Sequence, residues 1–202
     1  MDGPDSERPL RRVCVFCGAN PGFDPGYATA AAALGRTIAG RGLGLVYGGG
    51  HVGLMGVVAD AAMAAGGEVI GVIPEALMRR EVGHGALTDL RVVATMHERK
   101  ALMAELSDGF IVLPGGFGTL EEASEILTWS QLGLHRKGLV FLDINGFWGP
   151  ILHLFDHMAA QGFLRPQHRI LADVAPDGDA ALDLLARFVP PSVEKWLRAD
   201  QT

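Results

Sequence analysis

The chain has 202 residues, of which 49% are hydrophobic and 20% charged, and this composition is typical of one globular domain with a sizeable core. The net charge of −6 argues against a general DNA- or RNA-binding protein, because neutralising a phosphate backbone requires a basic surface. Two cysteines are too few for a disulfide scaffold, and no run of about 18 apolar residues could span a membrane. We therefore expect a cytoplasmic protein with neither a nucleic-acid nor a membrane partner.

Short apolar runs alternate with longer segments rich in alanine or leucine. The short runs predict strands over residues 12–17, 43–47, 69–73, 90–93, 110–113, 139–142 and 170–174. The longer segments predict helices over residues 27–41, 54–65, 96–106, 119–132, 148–161 and 180–188. Residues 74–89 are expected to be irregular.

This alternation predicts an α/β fold: a doubly wound, mainly parallel sheet in a Rossmann-like single domain over residues 12–189. Residues 1–11 are expected to form a disordered leader and residues 190–202 a C-terminal tail. In such sheets ligands bind at the carboxyl ends of the strands. The turns from strand to helix are therefore where we look for a site.

The turn after the second strand is rich in glycine. Gly48, Gly50 and Gly53 form the pattern G-x-G-x-x-G, and Glu75 after the next strand could serve as the acid that binds a ribose hydroxyl in dinucleotide folds. However, this turn lies in the second strand–helix unit rather than the first. Three interpretations stay open: a dinucleotide site, a different nucleotide or phosphate site, and close backbone packing.

The turn after the fifth strand reads L-P-G-G-F-G-T-L-E-E over residues 113–122. Gly115, Gly116 and Gly118 allow backbone N–H groups to converge at a helix N-terminus, which makes an anion cradle. The lysine of a Walker loop is absent, so ATP hydrolysis is not indicated. Thr119 and Glu122 fit two interpretations, a capping box with Thr119 as N-cap or a catalytic Glu122.

Two adjacent cations follow another capping pattern, in which Thr95 and Glu98 pair at a helix start. Arg99 and Lys100 lie in the first helical turn, where the helix dipole disfavours positive charge. This placement indicates an anionic partner. The alternative is a solvated pair on the surface.

Two patterns resemble metal motifs, but we interpret both as structural. Cys14 and Cys17 lie three residues apart on a predicted strand and therefore point to opposite faces of the sheet. His153 and His157 lie on the polar side of an amphipathic helix. Its other side carries Ile151, Leu154, Phe155 and Met158.

Three segments together carry a specific resemblance: M-H-E-R-K at residues 96–100, P-G-G-F-G-T-L-E-E at residues 114–122 and L-T-W at residues 127–129. The chain resembles, over almost its whole length, the LOG (Lonely Guy) family of cytokinin riboside 5′-monophosphate phosphoribohydrolases. Some relatives were formerly labelled lysine decarboxylases. No lysine of this sequence stands in a recognisable pyridoxal phosphate context, so decarboxylation is chemically unsupported.

The resemblance implies a Rossmann-like homodimer that hydrolyses a purine nucleoside 5′-monophosphate, AMP or an N6-substituted AMP such as isopentenyl-AMP, to free base and ribose 5-phosphate. The family's catalytic residues correspond to Arg99 and Glu122. No metal ion and no organic cofactor is expected. Positions expected to bind the substrate are Glu81, Lys100, Gly115, Gly116, Phe117, Gly118, Thr119, Leu120, Glu121 and Thr128.

The implied reaction agrees with the chemistry of these residues. The 5′-phosphate would bind the amides of residues 115–119, and the Glu122 carboxylate would stabilise an oxocarbenium-like ribose. Arg99 would act electrostatically, on the phosphate or on the departing purine, because its guanidinium does not release a proton at neutral pH. Two other functions remain: a non-catalytic carrier of a nucleotide or molybdenum cofactor, and an NAD-linked oxidoreductase.

Overall fold

The computed structural model describes residues 9–78 and 87–191 of the chain. The strands are β1 (Arg12–Phe16), β2 (Gly44–Tyr47), β3 (Val69–Pro74), β4 (Asp89–Val93), β5 (Gly109–Val112), β6 (Leu139–Leu142) and β7 (Ala172–Ala175). The helices are α1 (Pro25–Gly40), α2 (Gly53–Ala64), α3 (Glu75–Met78), α4 (Met96–Leu106), α5 (Phe117–Gln131), α6 (Gly149–Ala160), α7 (Pro166–Arg169) and α8 (Gly178–Arg187). A short turn, Ile144–Gly146, follows β6.

Local sequence explains where these elements begin and end. Helix α1 begins at Pro25, behind the N-cap Asp24, whose Oδ1 accepts a hydrogen bond from the Gly26 N–H at 2.8 Å. The chain leaves this helix through Gly42, whose φ of +70° favours glycine. Helix α4 begins in the same way behind Thr95, whose hydroxyl accepts from the Glu98 N–H at 3.1 Å.

The described strands form one parallel sheet in the order β4-β3-β2-β1-β5-β6-β7. Strand β1 pairs with both β2 and β5, so the winding direction reverses between β1 and β5. The predicted doubly wound fold is confirmed. The carboxyl ends of β1 and β5 flank the crevice in which such folds bind ligands.

Helices cover both faces of the sheet. The core on one face packs side chains of α1, α2 and α8 on the strands, and the core on the other packs side chains of α4, α5 and α6. Cys17 is buried in the first core and Cys14 in the second, which confirms that the two thiols lie on opposite faces. Within the described ranges no group of three His, Cys, Asp or Glu side chains is placed to hold a metal ion.

Several predicted boundaries were wrong. Part of the stretch expected to be irregular forms α3, and α5 begins two residues earlier than predicted, at Phe117. Leu154 and Met158 are exposed on α6, so the apolar side of that helix is only partly covered.

Most of the expected leader and tail, residues 1–8 and 192–202, lies outside the described residues. Among the described helices, none has the length and apolar character needed to cross a membrane.

Candidate active site

A cavity of about 490 Å³ opens at the crevice between β1 and β5. Its walls come from the turn after β1, the turn after β5 and the beginnings of α2, α4 and α5. This is the position that the strand order favours for a ligand. Its volume falls within the range of small-molecule sites, about 300–1,000 Å³.

The turn after β5 forms one wall of the cavity. A Cβ on Gly115 would overlap the Thr119 side chain, and the Gly18 N–H donates a hydrogen bond to the Pro114 carbonyl at 3.0 Å. Glycine therefore lets the turns after β1 and β5 pack directly on each other. No described side chain caps the N-terminus of α5, so its first amides keep donors for an anion.

The structure excludes a capping box at Thr119 and Glu122. Gly116 is the N-cap of α5, and Thr119 is already the third residue of the helix. Glu122 therefore lies in the second turn, where no free helix-start amide is available to it. Both side chains are buried on the cavity wall.

Glu122 meets Arg99 inside the protein. Arg99 Nη1 lies 3.1 Å from Glu122 Oε1, and the two residues are only 9% and 8% exposed. Arg99 Nε donates to the Val72 carbonyl at 3.1 Å, and Nη2 to the Gly48 carbonyl at 3.5 Å. These two carbonyls thus hold the guanidinium against the carboxylate. The alternative prediction, a solvated surface position, is therefore wrong for Arg99.

Burial changes the acidity of groups at this site. Desolvation raises the pKa of Glu122, whereas the nearby charge of Arg99 lowers it, and the net direction is upward. Burial also raises the pKa of Cys17, with a further contribution from Glu122. Cys17 lines the cavity, but it stays a thiol and is therefore a poor nucleophile.

The glycines after β2 are explained by close packing. A Cβ on Gly48 would overlap the Arg99 guanidinium, and one on Gly53, whose φ is +62°, would overlap the backbone of Ala19. Glu75 is exposed on α3 and is absent from the described cavity lining. The packing interpretation is therefore the one that specific contacts support.

Lys100, the residue after Arg99 on α4, is absent from the described lining of the cavity. Its Nζ is 2.5 Å from Glu121 Oε1 and 3.0 Å from Glu125 Oε2, both on α5. Burial lowers the pKa of Lys100, but the two carboxylates outweigh burial and the net direction is upward. The anionic partners that the sequence indicated for this basic pair are thus carboxylates of this chain.

The structure brings together only part of the predicted site. Arg99, Glu122, Gly115, Gly116, Gly118 and Thr119 line the cavity. Glu81 lies outside the described residues. Among the described residues, the following predicted positions do not line the cavity: Lys100, Phe117, Leu120, Glu121 and Thr128.

Other lining residues were not predicted. The turn after β1 contributes residues 17–22, and two aromatic side chains, Tyr27 and Phe147, complete that end of the cavity. The signal that could have found them is the strand order, because it makes β1 and β6 neighbours of β5. A single sequence does not provide that order directly.

Comparison with known proteins agrees with this architecture. Residues 55–185 match the family described as "Possible lysine decarboxylase". The chain is 51% identical over 173 residues to the cytokinin riboside 5′-monophosphate phosphoribohydrolase of Rhodococcoides fascians, covering 85% of this chain and 87% of that protein. It is 46% identical over 181 residues to the enzyme of that name, LOG, from Oryza sativa subsp. japonica, covering 90% and 75% respectively.

Solved structures show the same fold at lower identity. The Moco carrier protein of Chlamydomonas reinhardtii superposes with a TM-score of 0.67 at 24% identity, covering 89% of this chain and 99% of that chain. At this identity the likeness concerns the fold alone. The two curated relatives, in contrast, match most of the chain at 46% and 51% identity, so the chain belongs to the LOG family of cytokinin riboside 5′-monophosphate phosphoribohydrolases.

Proposed function

We propose that this protein hydrolyses the N-glycosidic bond of a purine nucleoside 5′-monophosphate, AMP or an N6-substituted AMP such as isopentenyl-AMP, and thereby activates cytokinins. The products are the free base and ribose 5-phosphate. The observation that carries the proposal is the buried Arg99–Glu122 pair, which shares one cavity with the glycine-rich start of α5. The names of the curated relatives support the same reaction.

The 5′-phosphate binds at the start of α5. Arg99 and Glu122 are the only formally charged residues in the described lining, and they pair with each other. A phosphate therefore depends on neutral donors, which are the amides of Gly116, Gly118 and Thr119 together with the helix dipole.

The catalytic step adds water to C1′ of the ribose while the C1′–N9 bond breaks and N9 takes up a proton. Positive charge develops on the ribose in the transition state, as in glycoside hydrolysis. Ionised Glu122 stabilises this charge and orients the water. Arg99 fixes the Glu122 carboxylate and stabilises negative charge on the departing purine, because a guanidinium stays protonated.

We also propose that the protein acts as a homodimer. Glu121 and Thr128 are exposed two turns apart on α5, outside the described lining of their own cavity. If a second copy of the chain covered this face of α5, Glu121 and Thr128 would lie near the cavity of that copy. The half-buried side chains of Leu127 and Trp129 provide apolar surface for such a contact. Sedimentation should therefore give a dimer, and a fully active monomer would contradict this proposal. A cytoplasmic location and the absence of a nucleic-acid partner stay predictions.

The alternative, a non-catalytic carrier, has weaker support. It rests on solved structures below 25% identity, which share the fold. A pure binder has no evident need for a buried carboxylate beside a phosphate site. The Arg99–Glu122 pair therefore favours the hydrolase.

The decisive experiment uses the purified protein without added metal. AMP and N6-isopentenyl-AMP are incubated separately, and released base is quantified by chromatography. Glu122→Gln removes the charge at nearly constant volume, while Glu125→Gln makes the same change one turn further along α5, outside the described lining. We expect base release that Glu122→Gln abolishes and Glu125→Gln retains. Nucleotide binding without release of base from either substrate would favour the carrier instead.

A further inference from the structure

The turn after β6 has an unusual backbone. Asn145 has a φ of +54° and is the only residue other than glycine with positive φ in the described ranges; Gly146 follows with a φ of +74°. The Phe147 N–H donates to the Ile144 carbonyl at 3.1 Å, which closes the turn. Positive φ at both central positions is the type I′ geometry, for which Asn-Gly is a preferred sequence.

The Asn145 side chain ties this turn to the start of α1. Its Nδ2 donates to Asp24 Oδ2 at 2.8 Å, while Asp24 Oδ1 accepts from the Gly26 N–H at the helix N-cap. The Gly26 N–H and then the Asn145 amide lower the pKa of Asp24, which keeps this carboxylate ionised. Asp24 thus joins two segments that are 121 residues apart in sequence.

Two aromatic rings meet beside this contact. The Tyr27 ring, in the first turn of α1, packs edge-on against the Phe147 ring with centroids 5.6 Å apart. Phe147 in turn packs on Trp148, whose Nε1 donates to the Val112 carbonyl at the end of β5. Tyr27 and Phe147 both line the cavity.

The rings of Tyr27 and Phe147 form what we call the aromatic wall. Strand order places this wall beside the part of the cavity that is proposed to bind phosphate. The anion cradle follows β5, and the two rings of the wall, Tyr27 and Phe147, follow β1 and β6, the strands on either side of β5. Arg99 reaches further along the sheet, to the carbonyls of Gly48 after β2 and of Val72 in β3. The wall therefore stands beside the ribose 5-phosphate half of the substrate, and the base lies towards β2 and β3.

We propose that Asn145 is a positioning residue for ribose 5-phosphate: through Asp24 it holds Tyr27 and Phe147 together as a wall that shields the phosphate cradle from water. This inference rests on the proposed function for the identity of the ligand. Excluding water strengthens the hydrogen bonds between amides and phosphate, because the local dielectric falls. Asn145 itself touches no substrate.

The test measures the binding of the two halves of the substrate, ribose 5-phosphate and adenine, separately. Asn145→Gly deletes the contact with Asp24 but keeps the type I′ turn, since glycine adopts positive φ without strain. We expect its Kd for ribose 5-phosphate to rise about threefold, because the lost hydrogen bond is exposed to solvent and exposed contacts of a charged group contribute little. The Kd for adenine should stay unchanged, and in turnover KM should rise while kcat stays within about twofold. Calorimetry measures both Kd values.

A second variant removes the contact from its other end. Asp24→Ser keeps an N-cap for α1 but lacks the charge and the second carboxylate oxygen, Oδ2, that accepts from Asn145. It should weaken ribose 5-phosphate to the same extent as Asn145→Gly. In a Phe147→Ala background Asn145→Gly should have no additional effect, because the wall is already lost.

Each of the following results would overturn the proposal: unchanged binding of ribose 5-phosphate in both variants, equal weakening of adenine binding, or full additivity with Phe147→Ala. Lack of ribose 5-phosphate binding by the wild-type protein would also overturn it. Failure of the proposed function looks different. In that case the wild-type protein releases no base, while ribose 5-phosphate binding and its dependence on Asn145 can still be measured.

Discussion

Arg99 and Glu122 form an ion pair that is almost closed off from water, with 3.1 Å between Nη1 and Oε1. The sequence places them 23 positions apart on different helices, and the carbonyls of Gly48 and Val72 complete the setting of the guanidinium. Both charges have lost most of their hydration, so each depends on the other.

Breaking the pair from one side should destabilise the protein. Arg99→Met leaves Glu122 buried without its cation, and loss of one partner of a buried pair costs about 3–5 kcal/mol. The double variant Arg99→Met with Glu122→Gln should recover part of this loss, because no unpaired charge remains. Urea unfolding measures the free energy of unfolding of each protein. Simple additivity of the two changes would show that the pair is not coupled.

Gly48→Ala should reduce activity by displacing Arg99. The added Cβ would overlap the guanidinium, which then has to leave its position against Glu122. Small misplacements of catalytic groups can reduce rates about 100-fold, so we expect a loss of this order in kcat/KM. Gly40→Ala is the matched control, since a Cβ there meets no atom within 4 Å. Equal activity of Gly48→Ala and Gly40→Ala would contradict the proposed role of Arg99.

Base release should decline in acid at a higher pH than an ordinary glutamate would give. Burial raises the pKa of Glu122 above its usual 4.5, and the proposed role needs the ionised form. Activity is therefore present above the raised pKa and is lost as the pH falls through it. Because Arg99 lowers this pKa, Arg99→Met should move the acid limb of the remaining activity to higher pH. The pH dependence of kcat measures the acid limb of the wild-type protein and of Arg99→Met. Any activity that remains in Glu122→Gln should show no acid limb from this residue.

His135 should make the fold sensitive to mild acid. Its Nδ1 accepts from the Lys137 N–H at 3.1 Å and its Nε2 lies 3.0 Å from the Ile126 carbonyl, so the neutral ring with a proton on Nε2 fits both contacts. Burial lowers the pKa of His135 to about 4 from 6.5. Between these values the unfolded chain binds a proton that the folded protein does not.

The free energy of unfolding should consequently fall as the pH drops from 6.5 to about 4, by at most about 3 kcal/mol from this group. His135→Gln should flatten the dependence over this window. His157→Gln, at an exposed position of α6, is the control and should leave it unchanged. Thermal unfolding across this pH range makes the comparison, and parallel curves for all three proteins would contradict the prediction.

The amino-acid sequence was enough to predict the fold class and the two segments proposed to carry the chemistry. Seven apolar runs separated by helical segments specify a parallel sheet, because strands covered on both faces need side chains that are apolar throughout. The glycine pattern of residues 114–118 predicted an anion cradle, and Gly115 is required there because a Cβ would overlap Thr119. The sequence likewise indicated Arg99 and Glu122 as candidate catalytic residues.

How these segments meet in space could not be predicted from local sequence patterns. Local patterns offered Thr119 as an N-cap, but α5 begins at Phe117 behind Gly116, and Gly115 packs on the turn after β1, which lies far away in sequence. They also did not show that Lys100 pairs with Glu121, or that Asn145 reaches Asp24. These contacts depend on strand order and helix placement, and both are set by burial summed over the whole core rather than by residues adjacent in the chain.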